Sequence, residues 1–244
     1  MKTNPIETAV WSFVGPLAAS RALKIVVLGT IGVLGLIFAG YAFKLIDGRT
    51  LDALRGSVIV PGIPVGAAIL AEMALRDGMT QRTLLYPLLG PVPRSTLAVV
   101  RTLGTSAILA TFALIAVLVI HALSGKGWVD LPQEAVGIVL GSAAYVSIFG
   151  IVHLVNRRGF VVCLAIYGLF DHSVGMLPFA IRTIAPSHHL RVLGGAQDTF
   201  AIPIVLDMPQ GTVLGSTLFL VVMTVVALAV TGLLFSRKPL PELC

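Results

Sequence analysis

The chain has 244 residues, of which 57% are hydrophobic and 11% are charged, and its formal net charge at pH 7 is +6. About a quarter of the residues in a soluble domain are charged, so this chain could not cover its surface in water. We predict an integral membrane protein, whose length allows about six spans of ~20 residues each. The positive charge would suggest nucleic acid in a soluble protein. In a membrane protein it reflects cytoplasmic Lys and Arg, so we predict no nucleic-acid partner.

Residues 1–22 form a mixed segment that we predict to be cytoplasmic or interfacial. The first apolar run begins only after Arg21 and Lys24, and it covers residues 25–43. Because a secretory signal would carry a short apolar core soon after its start, we interpret this run as a retained first span.

The second span is predicted over residues 56–75 and contains Pro61 and Pro64. Proline removes a backbone donor and kinks a helix, and lipid tolerates this only where neighbours or water satisfy the freed carbonyls. The bend either lines a path or is an ordinary membrane kink, and the sequence leaves both open. A third span is predicted over residues 95–123, and a polar hairpin follows at 124–134.

The fourth and fifth spans are predicted over residues 135–155 and 160–181, and the last over residues 212–235. The region between the fifth and last spans, residues 182–211, is too broken for a complete span and too apolar for a simple loop. We therefore predict short re-entrant helices there. The whole chain is expected to form a single transmembrane domain of six helices.

Small residues predict close helix contacts in two of the spans. Gly29, Gly32 and Gly35 recur at short intervals in the first span. Gly137 and Gly141 have GxxxG spacing in the fourth. The sequence does not indicate which of these faces meets another chain.

The distribution of charge predicts the topology. Lys and Arg concentrate at the side where both termini would lie, which agrees with cytoplasmic termini under the positive-inside rule. We therefore expect a multi-pass protein of the inner (cytoplasmic) cell membrane.

The stretch from residue 72 to 101, between the second and third spans, is polar, basic and rich in turn residues. Its pattern predicts a small amphipathic helix within residues 76–94. A glutamate, an Arg-x-Gly step, a Leu-Leu pair and a Pro-Val-Pro-Arg sequence follow one another. These are Glu72, Arg76, Gly78, Leu84, Leu85, Pro91, Val92, Pro93 and Arg94.

In this pattern the stretch resembles the cytoplasmic connection between the second and third spans of ABC-2-type exporter permeases. Met79 stands where that family usually has Thr, and residues 86–89 lengthen the gap before the Pro-Val-Pro sequence. The Ala-Pro-Ser-His step at residues 185–188 is also similar to the family at that point.

The resemblance implies the transmembrane subunit of an ABC exporter, with ATP hydrolysed on a separate chain. It implies an ABC ATPase partner and a second copy of this chain or a related permease. ATP and Mg²⁺ would bind the ATPase, so no cofactor and no catalytic residue is expected here. Segment 76–94 would be the coupling helix, seated in a groove of the ATPase. The coupling residues would be Glu72, Arg76, Gly78, Arg82, Leu84, Leu85, Pro91 and Arg94.

Asp171 is the single residue that most strongly suggests a function within a span. It lies ~12 residues into the fifth span, which places it ~18 Å deep. A charged carboxylate there costs at least ~2.5–3.5 kcal/mol, so it should face protein or a water-filled cavity. Asp171 is either a polar point on a translocation path or a gating contact, with His172 as its companion, or it is a structural carboxylate that is protonated or bonded to a neighbouring helix.

Other site chemistry is weakly indicated. The sequence contains no GxxxxGK[ST], HExxH or GxSxG motif. It therefore gives no basis for predicting ATP binding by a P-loop, an intramembrane peptidase or an esterase. No Cys/His spacing suggests zinc. His188 and His189 could bind metal or cargo, but adjacent helical side chains diverge, so no metal site is predicted. His121 and His153 are interpreted as residues at the membrane–water interface.

A different class of function stays open at this point. The chain could be an ATP-independent carrier or channel in which the intramembrane Asp171 binds ions or protons. Co-purification with an ATPase would distinguish the two classes.

Overall fold

A computed structural model describes residues 10, 20–75, 92–125, 128–156, 158–177, 180–195 and 211–237. Within these ranges every regular element is a helix, and six helices are long and apolar enough to cross a membrane. The prediction of an all-α, multi-pass membrane protein is therefore confirmed. The spans are numbered 1 (Arg21–Ala42), 2 (Gly48–Ala74), 3 (Arg94–Ser124), 4 (Leu131–Val155), 5 (Gly159–Met176) and 6 (Val213–Arg237).

Parts of three predicted features lie outside the described residues. These are most of the N-terminal segment, residues 76–91 of the coupling segment and residues 196–210 of the region before span 6. The coupling helix and the complete re-entrant region therefore stay predictions.

Span 2 begins at Gly48, well before the predicted residue 56. The Asp47 carboxylate accepts hydrogen bonds from the amide nitrogen of Thr50 at 2.8 Å and from its hydroxyl at 2.6 Å. This N-cap satisfies a backbone donor of the first turn, so the polar residues after Asp47 are helical rather than a loop. The same two hydrogen bonds lower the pKa of Asp47.

The disturbance predicted at the prolines of span 2 is a π-helical turn over Val58–Gly62, which contains Pro61. Regular α-helix resumes at Ile63 and continues to Ala74. Span 5 contains a second π-helical turn, Ile166–His172. Such turns interrupt the regular α-helical hydrogen bonding and occur often at functional sites.

Span 5 ends at Met176 rather than at the predicted residue 181. The next residue, Leu177, has the extended backbone (ψ 139°) that is favoured immediately before a proline. Pro178 follows it in the sequence.

The bundle has two ends, which we call near and far. At the near end, where spans 2 and 4 finish and span 3 begins, a buried cluster contains Ala74, Leu97, Leu154 and Phe235. At the far end, Ile37, Leu51 and Ile120 pack together where span 2 begins and span 3 finishes. The 76–91 segment connects two spans at the near end.

Spans 2, 3, 4 and 6 form the centre of the bundle. Their buried hydrophobic side chains form one cluster, which includes Ile63, Leu70, Leu109, Tyr145, Phe149 and Leu220. Span 1 is peripheral: only 6% of its most apolar window is buried, against 61% for span 4. Its apolar side chains therefore face lipid or another membrane helix.

The two glycine-bearing faces differ. Added side-chain carbons at Gly29, Gly32 and Gly35 would meet nothing within 4 Å. At Gly137, by contrast, an added Cβ would lie 2.8 Å from the Cβ of Leu193. The close contact predicted for the span 4 glycines is therefore made, and it is made within the chain.

The helix that packs against the glycines of span 4 is Pro186–Leu193, which we call the short helix. A 3₁₀ turn, Ala180–Ile184, precedes it. The short helix is buried from Pro186 to Arg191, among spans 4, 5 and 6. A helix in this region agrees with the sequence-based expectation, whereas its depth in a membrane stays a prediction.

Candidate functional site

Only two of the eight predicted coupling residues lie within the described part of the chain. Glu72 is partly buried in the last turns of span 2, and Arg94 is the first residue of span 3. The other six lie outside the described residues: Arg76, Gly78, Arg82, Leu84, Leu85 and Pro91.

Arg101, the last residue of the basic stretch 72–101, makes a polar tie at the near end beside its apolar cluster. Its Nε donates a 2.8 Å hydrogen bond to the carbonyl oxygen of Ala74, and the residue is 3% exposed. Ala74 ends span 2, so its carbonyl has no partner in its own helix. Arg101 thus fixes the end of span 2 against span 3, beside the point where segment 76–91 leaves.

His153 makes a second tie at this end. His153, interpreted as an interface residue, is buried within the bundle at 2% exposure. Its Nε2 lies 3.1 Å from the carbonyl oxygen of Ala68, so Nε2 carries the proton and donates. This contact joins span 4 to span 2.

Asp171 is buried in span 5 and bonded on both sides. It accepts a hydrogen bond from the hydroxyl of Tyr145 in span 4. It also accepts one from the amide of Ser187 at 3.0 Å, and the Ser187 hydroxyl donates to the Asp171 carbonyl oxygen at 3.0 Å. The carboxylate therefore caps the N-terminus of the short helix, where a negative charge is stabilised.

Arg191 ties the other end of the short helix to span 5. Its Nη1 donates to the carbonyl oxygen of Gly175 at 2.8 Å, and its Nη2 approaches Nδ1 of His172 at 3.4 Å. His172, predicted as a companion of Asp171, is thus hydrogen-bonded to Arg191. Together the two residues and Asp171 form a polar cluster along one side of the short helix.

The cluster reaches span 2 through Tyr167. The Tyr167 hydroxyl lies 3.4 Å from the carbonyl oxygen of Val60 and 3.4 Å from Nδ1 of His172. In an α-helix the Val60 carbonyl would pair with the amide of residue 64, which is Pro64 and has no N–H. Tyr167 therefore supplies a donor that the proline removes.

His189 is fully engaged on the opposite side of the short helix. Its Nε2 lies 2.8 Å from the Thr183 carbonyl oxygen, its Nδ1 lies 3.0 Å from the Ser216 hydroxyl, and its ring stacks on Phe219. Among the described residues there is no group of three His, Cys, Asp or Glu side chains that could hold a metal.

A second charged cluster lies at the far end. The Glu134 carboxylate is 3.1 Å from Nη1 of Arg55 and 2.9 Å from Nε2 of His121. Glu134 and His121 are each 1% exposed, so His121, interpreted as an interface residue, is buried within the bundle. Trp128 stacks on the His121 ring, with 5.7 Å between centroids. The cluster joins spans 2, 3 and 4.

Sequence reasoning missed Tyr145, Tyr167, Ser187 and Arg191 as partners in the Asp171 cluster. The sequence does contain one indication of the cluster, which is Arg191. It is a charged residue in an apolar region, so its guanidinium must find hydrogen-bond acceptors there. The far-end cluster had the same signal in Glu134, which follows a helix-starting proline at the beginning of span 4.

Comparison with known proteins finds no match for this chain among family models, curated proteins or solved structures.

Proposed function

We propose that this chain is the membrane-spanning permease subunit of an ABC exporter, which moves cargo using ATP hydrolysed by a separate ATPase subunit. The observation that carries the proposal is the basic, turn-rich segment between spans 2 and 3, with its Glu-Arg-x-Gly, Leu-Leu and Pro-Val-Pro-Arg pattern. On this proposal both termini and the segment face the cytoplasm of the inner membrane.

The near-end anchoring supports this proposal. A coupling segment transmits force only if the helices that carry it are held to the bundle. Arg101 holds the end of span 2 against span 3, and His153 holds span 2 against span 4. Movement of the segment would therefore be delivered to three spans together.

The chemistry of the segment suits a protein groove. Arg82 and Arg94 flank Leu84, Leu85 and Leu88 in the sequence, so apolar anchors lie between positive ends. Apolar anchors supply affinity at an interface, and charge sets orientation. An amphipathic helix resting on anionic headgroups would use the same residues, so removing arginines does not distinguish the two.

The deciding experiment is a pull-down of the ATPase in detergent, where no bilayer surface explains binding. Leu84→Asp with Leu85→Asp is expected to lose the ATPase while the six spans remain inserted. Leu45→Asp with Val129→Asp is the matched control, because both residues are more than three-quarters exposed at the far end. Retention of a transport-stimulated ATPase by the Leu84/Leu85 variant would show that the coupling assignment is wrong.

The assembly on this proposal contains two permease copies, or one copy with a related partner. A purified complex is therefore expected to have a mass that includes two permease chains and two ATPase chains. A complex with a single copy of this chain and no related permease would contradict this expectation.

The second candidate is an ATP-independent carrier or channel, which is favoured by one observation, the buried Asp171 within span 5. In that case Asp171→Asn would abolish transport in vesicles that contain this chain alone. Transport that requires a co-purifying ATPase would exclude this candidate.

A further inference from the structure

Span 2 consists of two helical halves joined by the π-helical turn Val58–Gly62. The near half is fixed to the bundle by two side-chain hydrogen bonds to its backbone carbonyls. These come from Arg101 at Ala74 and from His153 at Ala68. The near half therefore belongs rigidly to the bundle.

The far half, Gly48–Ser57, is held in a different way. Arg55, two residues before the π-helical turn, forms an ion pair with Glu134 of span 4 at 3.1 Å. His121 of span 3 shares the same carboxylate at 2.9 Å. Leu51 packs with Ile37 and Ile120, and the other residues of this half are partly or fully exposed, so apolar packing to spans 1 and 3 and the ion pair to span 4 together attach it.

Stability alone does not account for this choice of residues. Burying an ion pair costs desolvation free energy, and apolar residues of similar volume usually hold helices together as well or better. The cluster is also incompletely satisfied, because Nε of Arg55, Nδ1 of His121 and Oε1 of Glu134 have no hydrogen-bond partner among the described residues, so Arg55 and Glu134 form an ion pair without a hydrogen bond. An unpaired buried polar group costs free energy, so the cluster stabilises the closed arrangement less than a fully paired one would.

The two basic groups also compete. When Nε2 of His121 donates to Glu134, it presents no acceptor to Arg55, although Nη1 of Arg55 lies only 3.5 Å away. The Glu134 carboxylate is therefore shared by two basic groups, Arg55 and His121. Losing its contact with either one leaves the carboxylate with a single basic partner, which weakens the attachment of span 2 to spans 3 and 4.

We propose that Arg55, His121 and Glu134 form a charged latch that holds the far half of span 2 against spans 3 and 4. When the latch opens, the far half swings about the π-helical turn while the near half stays fixed. The latch is a property of this chain alone, so it applies to an ATP-driven permease and to an independent carrier alike.

The test measures the distance between spans 2 and 4 directly. Nitroxide labels are placed at Ala53→Cys and Val136→Cys, two exposed helical positions, in a chain with Cys163→Ala and Cys244→Ala. Pulsed electron resonance of the purified protein in detergent then gives the distribution of distances. In the parent we expect one narrow peak, with any open form near the ~0.1–10% typical of a minor state.

Glu134→Gln is expected to produce a clearly resolved second peak at longer distance, because it keeps the side-chain shape and removes the charge. Asp130→Asn is the matched control, since it removes an exposed carboxylate from the same turn of the chain and should leave the single peak unchanged. Arg55→Gln, at a side chain that is 14% exposed and less deeply buried, is expected to act in the same direction. If Glu134→Gln does not fold, the Arg55→Gln variant provides the test.

The hinge gives a second, independent readout. Pro61→Ala restores an amide in the π-helical turn, so in the Glu134→Gln background it should reduce the long-distance peak. If Glu134→Gln and Arg55→Gln lower thermal stability but leave one unchanged distance, the cluster is merely structural and the latch is refuted. A long-distance peak that Pro61→Ala leaves unaltered would refute the hinge.

Discussion

The hydroxyl oxygen of Tyr167 lies 3.4 Å from the carbonyl oxygen of Val60, and this contact joins the π-helical turn of span 5 to that of span 2. The two irregular turns therefore face one another inside the bundle. Each disturbs the regular backbone hydrogen bonding, and the contact lets one span satisfy a carbonyl that the other leaves open.

Replacing Tyr167 by Phe removes the donor to Val60 without emptying the space that the ring fills. We expect the free energy of unfolding in detergent to fall by less than about 1 kcal/mol, the typical net value of one hydrogen bond, because 3.4 Å is long for an O–H···O contact. Tyr41→Phe, at an exposed tyrosine of span 1, is the control and should cost nothing measurable. An equal effect of the two substitutions would show that the Val60 contact contributes no stability.

The bond between Tyr145 and Asp171 predicts non-additive substitutions. Tyr145→Phe and Asp171→Ala should each destabilise the protein, and the double variant should be less destabilised than their sum by about 1–2 kcal/mol. Unfolding in detergent measures all three. Tyr145→Phe combined with Asp130→Asn should be additive, because Asp130 is exposed and remote from the cluster. Strict additivity of the Tyr145 and Asp171 changes would contradict the observed bond.

Because Asp47 caps span 2, we expect the stability of the first turn of this span to depend on pH. The hydrogen bonds from Thr50 lower the folded-state pKa of Asp47 below its unfolded value of about 3.9. The cap's contribution is therefore fully present above that unfolded value, and it is lost as pH falls through the folded pKa. The protection factors of the Thr50 and Leu51 amides, measured against their intrinsic exchange rates at each pH, should fall in acid.

Asp47→Asn is the informative control for the cap. Asn accepts the same hydrogen bond from the Thr50 amide but does not titrate, so the acid-induced loss of protection should disappear. Asp47→Ala should give low protection factors at every pH. Equal acid sensitivity in the parent and in Asp47→Asn would assign the effect to another group.

The charge distribution predicts the side of the membrane on which each end lies. Single cysteines at Ser124 and Gly195 should react with an impermeant thiol reagent applied from outside the cell. Cysteines at Thr80 and Ser236 should be protected until the membrane is permeabilised. The opposite pattern would reverse the proposed orientation.

The apolar runs of the sequence were sufficient to predict six spans, because length and hydropathy decide which segments can cross a bilayer. The start of span 2 could not be predicted from hydropathy. Its first turns are polar, and they are helical because Asp47 caps them and Leu51 packs at the far end. A local capping contact therefore outweighed the polar composition.

The candidate sites were predictable only in part. Asp171 was identifiable from its depth in an apolar run, but its partners Tyr145 and Ser187 come from other elements of the bundle. Arg55 and Glu134 likewise meet only after spans 2 and 4 have packed. One sequence provides no signal that pairs such distant positions, since hydropathy and spacing describe each helix separately.

The seating of Leu193 on Gly137 has a consequence for sequence comparison. An added Cβ at position 137 would lie 2.8 Å from the Cβ of Leu193, so a side chain at 137 requires glycine at position 193 or a shift of the short helix. At Gly141 the nearest atom is Cδ2 of Leu190, so a side chain at 141 requires a smaller or reoriented side chain at position 190. In other chains of this fold, the two pairs should therefore covary in volume. Such covariation would report packing within one chain, although GxxxG spacing is usually interpreted as a contact between two.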